Sequence, residues 1–182
     1  MKIENTPRLA YKLLNVSDSE LLWELDQDPE VMRFINGGIC TTKKEIEEVY
    51  MPRLKSYTKP DAGWGLWGLF ENGDSFIGWI LVRPMEFFSE NPETRNLELG
   101  WRLKRQSWGK GLATEAARAI MDALISHDAC DHLTALALEE NTASIKVMKR
   151  LGMKYLKNDI HRDPLGDAQC VYYRYDVKKI PN

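Results

Sequence analysis

The residues best suited to chemistry lie in one stretch, Gln106-Ser107-Trp108-Gly109-Lys110-Gly111-Leu112-Ala113, with the carboxylate Glu98 shortly before it. Two closely spaced glycines let a backbone curl where a Cβ would obstruct it. A helical pattern begins at Leu112, and the first N–H groups of a helix have no intrahelical partners and sit at its positive end. Such a place suits a phosphate or diphosphate. Thr114 could add its hydroxyl there, or simply bond locally at the helix start. Glu98 is a candidate general base for a nucleophile that must lose a proton; the plainer reading is a solvent-facing strand carboxylate. Further on, Asn141 stands where a helix N-cap would, and Ser144 offers a hydroxyl in the turn after it.

Two phosphate-binding patterns fail on the letters. A Walker loop needs Gly-Lys followed by Ser or Thr, with a Gly five positions earlier; here Gly111 follows Lys110, and Lys104 stands at the earlier position. A dinucleotide fingerprint needs Gly or Ala where Thr114 stands. No Gly-x-Ser-x-Gly hydrolase motif occurs. His127 and His132 lack the spacing and carboxylate partners of a metal site, so no metal is expected.

The elements that would position these residues can be read in order. Thr6 to Leu14 alternates loosely and predicts a first strand. Ser17 is a candidate cap for a helical stripe of Leu21, Leu22 and Leu25. Glu30 to Ile35 reads as a short amphipathic turn stopped by Gly37 and Gly38. Thr41 or Thr42 caps a helix running to about Tyr57, which Pro52 should kink or split. Trp64 to Phe70 and Phe76 to Val82 are apolar on both faces, as in strands covered on both sides, and Asn72-Gly73 between them signals a hairpin. Residues 87–94 read as loop. Leu97, Leu99, Trp101 and Leu103 then point one way, and Glu98, Gly100 and Arg102 the other. Leu112, Ala116, Ile120 and Leu124 form a helical stripe through about His127. His132 to Leu138 reads as a buried strand, and Asn141 to Leu151 as a helix stopped by Gly152. A strand begins at Tyr155-Leu156, a polar connection runs from Asn158 to Ala168, and Val171 to Val177 closes the pattern. Residues 1–182 read as one α/β domain, without repeat or linker.

Composition agrees. Hydrophobic content of 43% and charged content of 29% are ordinary for a soluble domain. A net charge of −2 supplies no general attraction for nucleic acid. No apolar run approaches the ~20 residues that cross a bilayer, and no signal-peptide pattern opens the chain. Cys40, Cys130 and Cys170 are odd in number and unpatterned, which predicts reduced thiols and a cytoplasmic location.

Four landmarks, in order, resemble the GNAT superfamily of N-acetyltransferases, and in particular its branch of ribosomal-protein N-terminal acetyltransferases. Thr6-Pro7-Arg8-Leu9 is similar to the opening strand. Asp28 to Gly38 resembles the first helix pair. Leu99-Gly100-Trp101-Arg102-Leu103 with Trp108 to Ala116 resembles the fourth strand, the Gln/Arg-x-x-Gly-x-Gly coenzyme A loop and the third helix. Asn141 to Ser144, ending in Arg150-Leu151-Gly152-Met153, resembles the fourth helix and the start of the sixth strand.

The resemblance implies a GNAT-type mixed, mostly antiparallel central sheet of about seven strands, splayed between strands four and five and flanked by about four helices. It implies acetyl-CoA as cosubstrate and a primary amine, of a protein N-terminus or a small molecule, as acceptor. Strand N–H groups at Trp101, Arg102 and Leu103 would bind the pantetheine arm. Gln106, Trp108, Gly109, Lys110, Gly111, Leu112, Ala113 and Thr114 would hold the diphosphate, with Asn141 beside the ligand. Glu98 becomes the base for direct attack and Ser144 the hydroxyl that protonates the thiolate. Many relatives carry a Tyr for that last task at the position of Met148, which makes water the alternative donor. One of Lys146, Lys149 and Arg150 could meet the 3′-phosphate. The acceptor would be shaped by residues 34–42 and 158–168. Homodimerisation is a family habit, and Tyr172 or Tyr173 would be exposed to support it. Rival readings are an acyl-CoA-binding module without catalysis, and a nucleotide-phosphate enzyme.

Overall fold

The computed structural model describes residues 1–177, so the last five residues of the expected 1–182 domain lie outside the described part. Seven strands form one sheet: β1 Leu9–Leu13, β2 Gly65–Glu71, β3 Ser75–Met85, β4 Glu93–Leu103, β5 His132–Ala137, β6 Lys154–His161 and β7 Ala168–Asp176. Their spatial order is β1-β2-β3-β4-β5-β7-β6. Every neighbouring pair is antiparallel except β4 and β5, which run parallel. Five helices cover the sheet among the described residues: α1 Ser19–Leu25, α2 Pro29–Asn36, α3 over residues 43–57 in three joined segments, α4 Leu112–Ser126 and α5 Thr142–Arg150.

The two faces of the sheet bury different clusters. Against α4 and α5 lie Leu97, Leu99 and Leu103 of β4 with Leu133 and Ala135 of β5. The α4 stripe read from the sequence, Leu112, Ala116, Ile120 and Leu124, is buried there in full. On the opposite face α1 and α3 bring Leu22, Leu25 and Leu54 onto Leu66 and Phe76. This double cover explains why β2 and β3 read as unbroken apolar runs. The hairpin turn is the three residues Asn72, Gly73 and Asp74 between the paired Glu71 and Ser75, and it takes positive φ at Asn72 and Gly73, 54° and 89°.

Several expectations shift in detail. The α1 region is capped by Asn15, whose side chain accepts from the Ser17 N–H in a reciprocal box with Asp18, so Ser17 is inside the turn. Thr42 rather than Thr41 caps α3, in a capping box with Glu45. Pro52 stands in the first turn of the last segment of α3, Met51–Tyr57, and the helix changes form just before it. Between Lys43–Glu45 and Met51–Tyr57, residues Ile46–Tyr50 widen into a π turn, and Met51 N–H bonds Ile46 O. The ladder thus moves to a five-residue step just before the residue that has no N–H to give.

β4 starts at Glu93, inside the stretch read as loop, because the β3–β4 register slips between Pro84 and Met85 and picks up Met85 opposite Glu93. β6 runs through Asn158, Asp159 and Ile160 to His161, so the connection shrinks to residues 162–167. This edge strand is exposed nearly throughout, and its polar residues therefore carry no burial pattern that would mark a strand. Tyr172 and Tyr173 are buried, the second edge-on against Tyr155.

Candidate active site

β4 holds the site because it changes partner along its length. It pairs with β5 only at Asn96↔His132, Leu97↔Leu133 and Glu98↔Thr134. Beyond Glu98, β4 stays with β3 while β5 stays with β7, and a gap opens. Two hydrogen bonds fix which backbone groups face it. Lys104 N–H donates to Ile77 O on the β3 side at 2.8 Å, and Arg95 O accepts from Asp131 N–H on the β5 side at 2.8 Å. Backbone direction alternates along a strand, so the odd-numbered residues Leu99, Trp101 and Leu103 present N–H and C=O to the gap. The Leu103 carbonyl is taken by Trp108 Nε1 at 2.8 Å.

The glycine loop closes one end of this gap. Gly109 and Gly111 both have left-handed φ, +74° and +77°, and Gly111 is the residue from which α4 starts. β1 fastens the loop from outside. Arg8 donates from Nη1 to Lys110 O at 2.9 Å and from Nε to Glu115 at 2.6 Å, and Thr6 Oγ1 donates to Glu115 at 2.6 Å. Burial works against ionising Glu115, but these donors outweigh it and hold the carboxyl below its usual range.

A cavity of ≈ 390 Å³ follows the gap. Its walls come from β4 (Trp101, Arg102, Leu103), the loop and helix start (Trp108, Gly109, Gly111, Leu112, Ala113, Thr114) and α5 (Asn141, Ser144, Val147), while Val31, Phe34 and Ile35 of α2 close the far side. Asn141 spends its side-chain oxygen as the α5 cap, on Ser144 N–H at 3.1 Å. Ser144 Oγ accepts from Trp101 Nε1 at 3.2 Å, so its own proton remains free to be donated across the gap.

Two expected residues are not among those that line the cavity. Gln106 is exposed in the turn Arg105–Ser107 and lines a separate surface hollow with Glu24 and Asp28. Lys110 contributes no side chain to the cavity; its carbonyl is the Arg8 anchor.

Glu98 differs most from its plainer reading. It is buried, on the face opposite α4, and its Oε2 accepts from Arg83 Nε at 2.7 Å. Burial opposes the Arg83 charge, but Glu98 beside it more than offsets that and holds Arg83 above its ordinary range. Glu98 does not line the cavity; it sits at the last paired position before the strands part.

The donors present fit coenzyme A. The Thr114 hydroxyl is buried with no protein partner, beside a helix start whose first N–H groups need an acceptor. Strand N–H groups suit the amides of the pantetheine arm. Lys146 and Arg150 line the cavity with positive charge. Among the described residues no group of His, Cys, Asp or Glu could hold a metal ion. Sequence reasoning reached the loop, β4 and α5, but it missed Arg8, Thr6 and Arg83. Their only signal was their type, since each acts on a residue remote in the chain.

Comparison with known proteins agrees with this geometry. Residues 8–154 match the acetyltransferase (GNAT) domain family. The chain is 30% identical over 156 residues to the FsC-acetyl coenzyme A-N(2)-transacetylase of Aspergillus fumigatus, covering 84% of this chain and 65% of that protein. The GNAT-family acetyltransferase from Bacillus anthracis superposes with a TM-score of 0.73 at 22% identity, over 98% of this chain and 100% of that one. The ribosomal L7/L12 alpha-N-protein acetyltransferase RimL, in complex with coenzyme A, superposes with a TM-score of 0.74 at 12% identity, over 96% and 97%. A family match across most of the chain, on a sheet that opens beside a glycine loop, leads to one assignment. The chain belongs to the GNAT family of acetyl-CoA-dependent N-acetyltransferases.

Proposed function

We propose that the protein transfers acetyl from acetyl-CoA by direct attack of a primary amine, borne by a protein N-terminus or a small molecule, where β4 leaves β5. The observation that carries this reading is the set of gap-facing backbone groups at Leu99, Trp101 and Leu103, with the Gly109–Gly111 loop at one end and Ser144 across from Trp101. Acetyl-CoA supplies the thioester. N–H groups of β4 hold the pantetheine arm and polarise the carbonyl where negative charge develops. Glu98, directly or through water, takes the proton that the ammonium must lose before nitrogen bonds the carbonyl carbon. As the C–S bond breaks, the nitrogen releases its second proton to solvent to become the amide, and Ser144 gives its hydroxyl proton to the departing sulfur and regains one from solvent. Met148, where a Tyr would compete for that task, is buried in the core, so it plays no part.

The engagement of Glu98 by Arg83 favours a second reading, an acyl-CoA-binding module without transfer. An acetylation screen with acetyl-CoA over protein N-termini, amino acids, polyamines and aminoglycosides separates the two, with acetyl-CoA affinity measured alongside. Product with any amine class, falling roughly 10²–10⁴-fold in kcat for Glu98→Gln, supports the enzyme. Tight binding without product supports the module.

The free cysteines Cys40, Cys130 and Cys170 support a reducing, cytoplasmic setting, and no helix among the described residues is long and apolar enough to cross a membrane. With Tyr172 and Tyr173 buried, a homodimer would rest on the exposed edge β6, where Tyr155, Leu156 and Ile160 face solvent. A monomer mass by light scattering at high concentration would dismiss it.

A further inference from the structure

Four charged side chains from four separate elements form one chain outside the cavity, buried at Arg83 and Glu98 and partly buried at Arg53 and Asp163. Arg53 of α3 donates from Nη2 to both oxygens of Asp163, at 2.7 and 2.9 Å. Asp163 sits in the turn between β6 and β7, and its carboxylate lies at ion-pair distance, 3.9 Å, from Arg83 Nη2. Arg83 of β3 in turn donates to Glu98 of β4. The side chains are between 9% and 17% exposed. Phe88 covers both arginines, its ring centre 3.8 Å from Arg53 and 5.3 Å from Arg83. The turn is braced to present Asp163: Leu165 N–H donates to its Oδ1 at 2.9 Å, and Gly166 N–H to its carbonyl at 2.8 Å.

Stability alone is a poor explanation for this chain. Burying charges costs desolvation that their attraction often fails to recover, and an apolar set of similar volume would usually serve a core as well. What the charges supply is direction. A lone carboxylate in mid-strand has several rotamers, whereas one held through Arg83 Nε has its plane and orientation set. Arg83 is itself held by Asp163, which Arg53 anchors.

We propose that Arg83 and Asp163 are positioning residues for Glu98, so that the β6–β7 turn and the carboxylate at the strand split act as one unit. This rests on the reading of Glu98 as general base. It implies that the turn orders the base from the side opposite α4, and that loosening the turn disorders the base while leaving the coenzyme A cavity untouched.

The test uses Asp163→Asn, which keeps size and removes charge, and Asp163→Glu, which restores charge. Displacing a reacting group by about 1 Å costs about 10²-fold. Asp163→Asn should therefore lower kcat by roughly 10- to 10²-fold, with acetyl-CoA affinity nearly unchanged and a substantial recovery in Asp163→Glu. Arg53→Lys, which keeps charge but loses the planar fork, should lower kcat in the same direction by less, and serves if Asp163→Asn folds poorly.

A second readout does not depend on transfer. The side-chain carboxyl carbon resonance of Glu98, assigned by its loss in Glu98→Gln, should move in Asp163→Asn at fixed neutral pH. An unmoved resonance overturns the coupling whether or not the enzyme is active. A moved resonance with wild-type kcat overturns the positioning role. Should the wild type bind acetyl-CoA yet acetylate no amine, the transfer reading falls, and the resonance still decides whether the turn reaches Glu98.

Discussion

Gly111 offers a sharp test of the loop. It starts α4 with φ +77°, and a Cβ built there would meet nothing closer than Arg8 Nη2 at 3.9 Å. Space is therefore not the obstacle; the backbone is. An L-residue in the left-handed region costs about 1–2 kcal/mol, and for a chain of this size each ~1 kcal/mol lowers Tm by about 2–4 °C. Gly111→Ala should melt roughly 2–8 °C lower. A β-branched residue is worse there, so Gly111→Val should relieve strain by turning an adjacent peptide and swinging an N–H away from the gap. A hydrogen bond to a charged group contributes about 1.5–3 kcal/mol, so losing one should weaken acetyl-CoA binding about 10- to 10²-fold. Thermal unfolding and calorimetric titration read the two effects separately. A folded Gly111→Val with wild-type affinity would remove the loop from the site, and a Gly111→Ala with unchanged Tm would refute the strain reasoning.

Three further predictions rest on single contacts. Ser144→Ala removes both the proton and the acceptor for Trp101 Nε1, so kcat at saturating substrates should fall by about 10²-fold; an unchanged kcat would assign the proton to water. The Glu115 carboxyl is held below its usual range, so its tie to Thr6 and Arg8 stabilises the fold above the ordinary glutamate range and is lost as pH falls through the lowered folded value. The Tm gap between wild type and Glu115→Gln should accordingly be full at neutral pH and close at pH below about 4; a gap independent of pH would contradict the sign. Ile120→Ala, in the middle of the buried α4 stripe, should cost about 2–5 kcal/mol in denaturant unfolding with the acetyl-CoA contacts intact.

The parts of the fold legible in the sequence are those where one face of an element is buried. The stripe from Leu112 to Leu124 and the alternation from Leu97 to Leu103 each declare a period because burial sorts their side chains. β6 has no such sorting, being an edge strand exposed on both sides, and so Asn158 to Ile160 read as loop. The site divides the same way. Gly109, Gly111, Thr114, Asn141 and Ser144 lie in local motifs, where a turn or a cap dictates residue type at short range. Arg8, Arg53, Arg83 and Asp163 act across 15 to 110 positions in the chain, and no local spacing announces such contacts. Glu98 is marked in the sequence by its place in the strand, while its burial leaves no local signal because its partner Arg83 is on another strand.

The strand β4 shows why register, more than any one side chain, makes the site. Odd-numbered side chains from Leu97 to Leu103 enter the core beneath α4. Even-numbered Glu98 and Arg102 turn to the other face, to Arg83 and to Asp26. Odd-numbered backbone groups beyond Glu98 are released to the gap because β5 has already left. Slipping β4 by one residue against β3 would reverse all three assignments together, placing Glu98 in the apolar core and turning the N–H of Trp101 toward β3. The slip that does occur, between Pro84 and Met85, lies before Leu97. There it lengthens the strand without disturbing the parity on which the site depends.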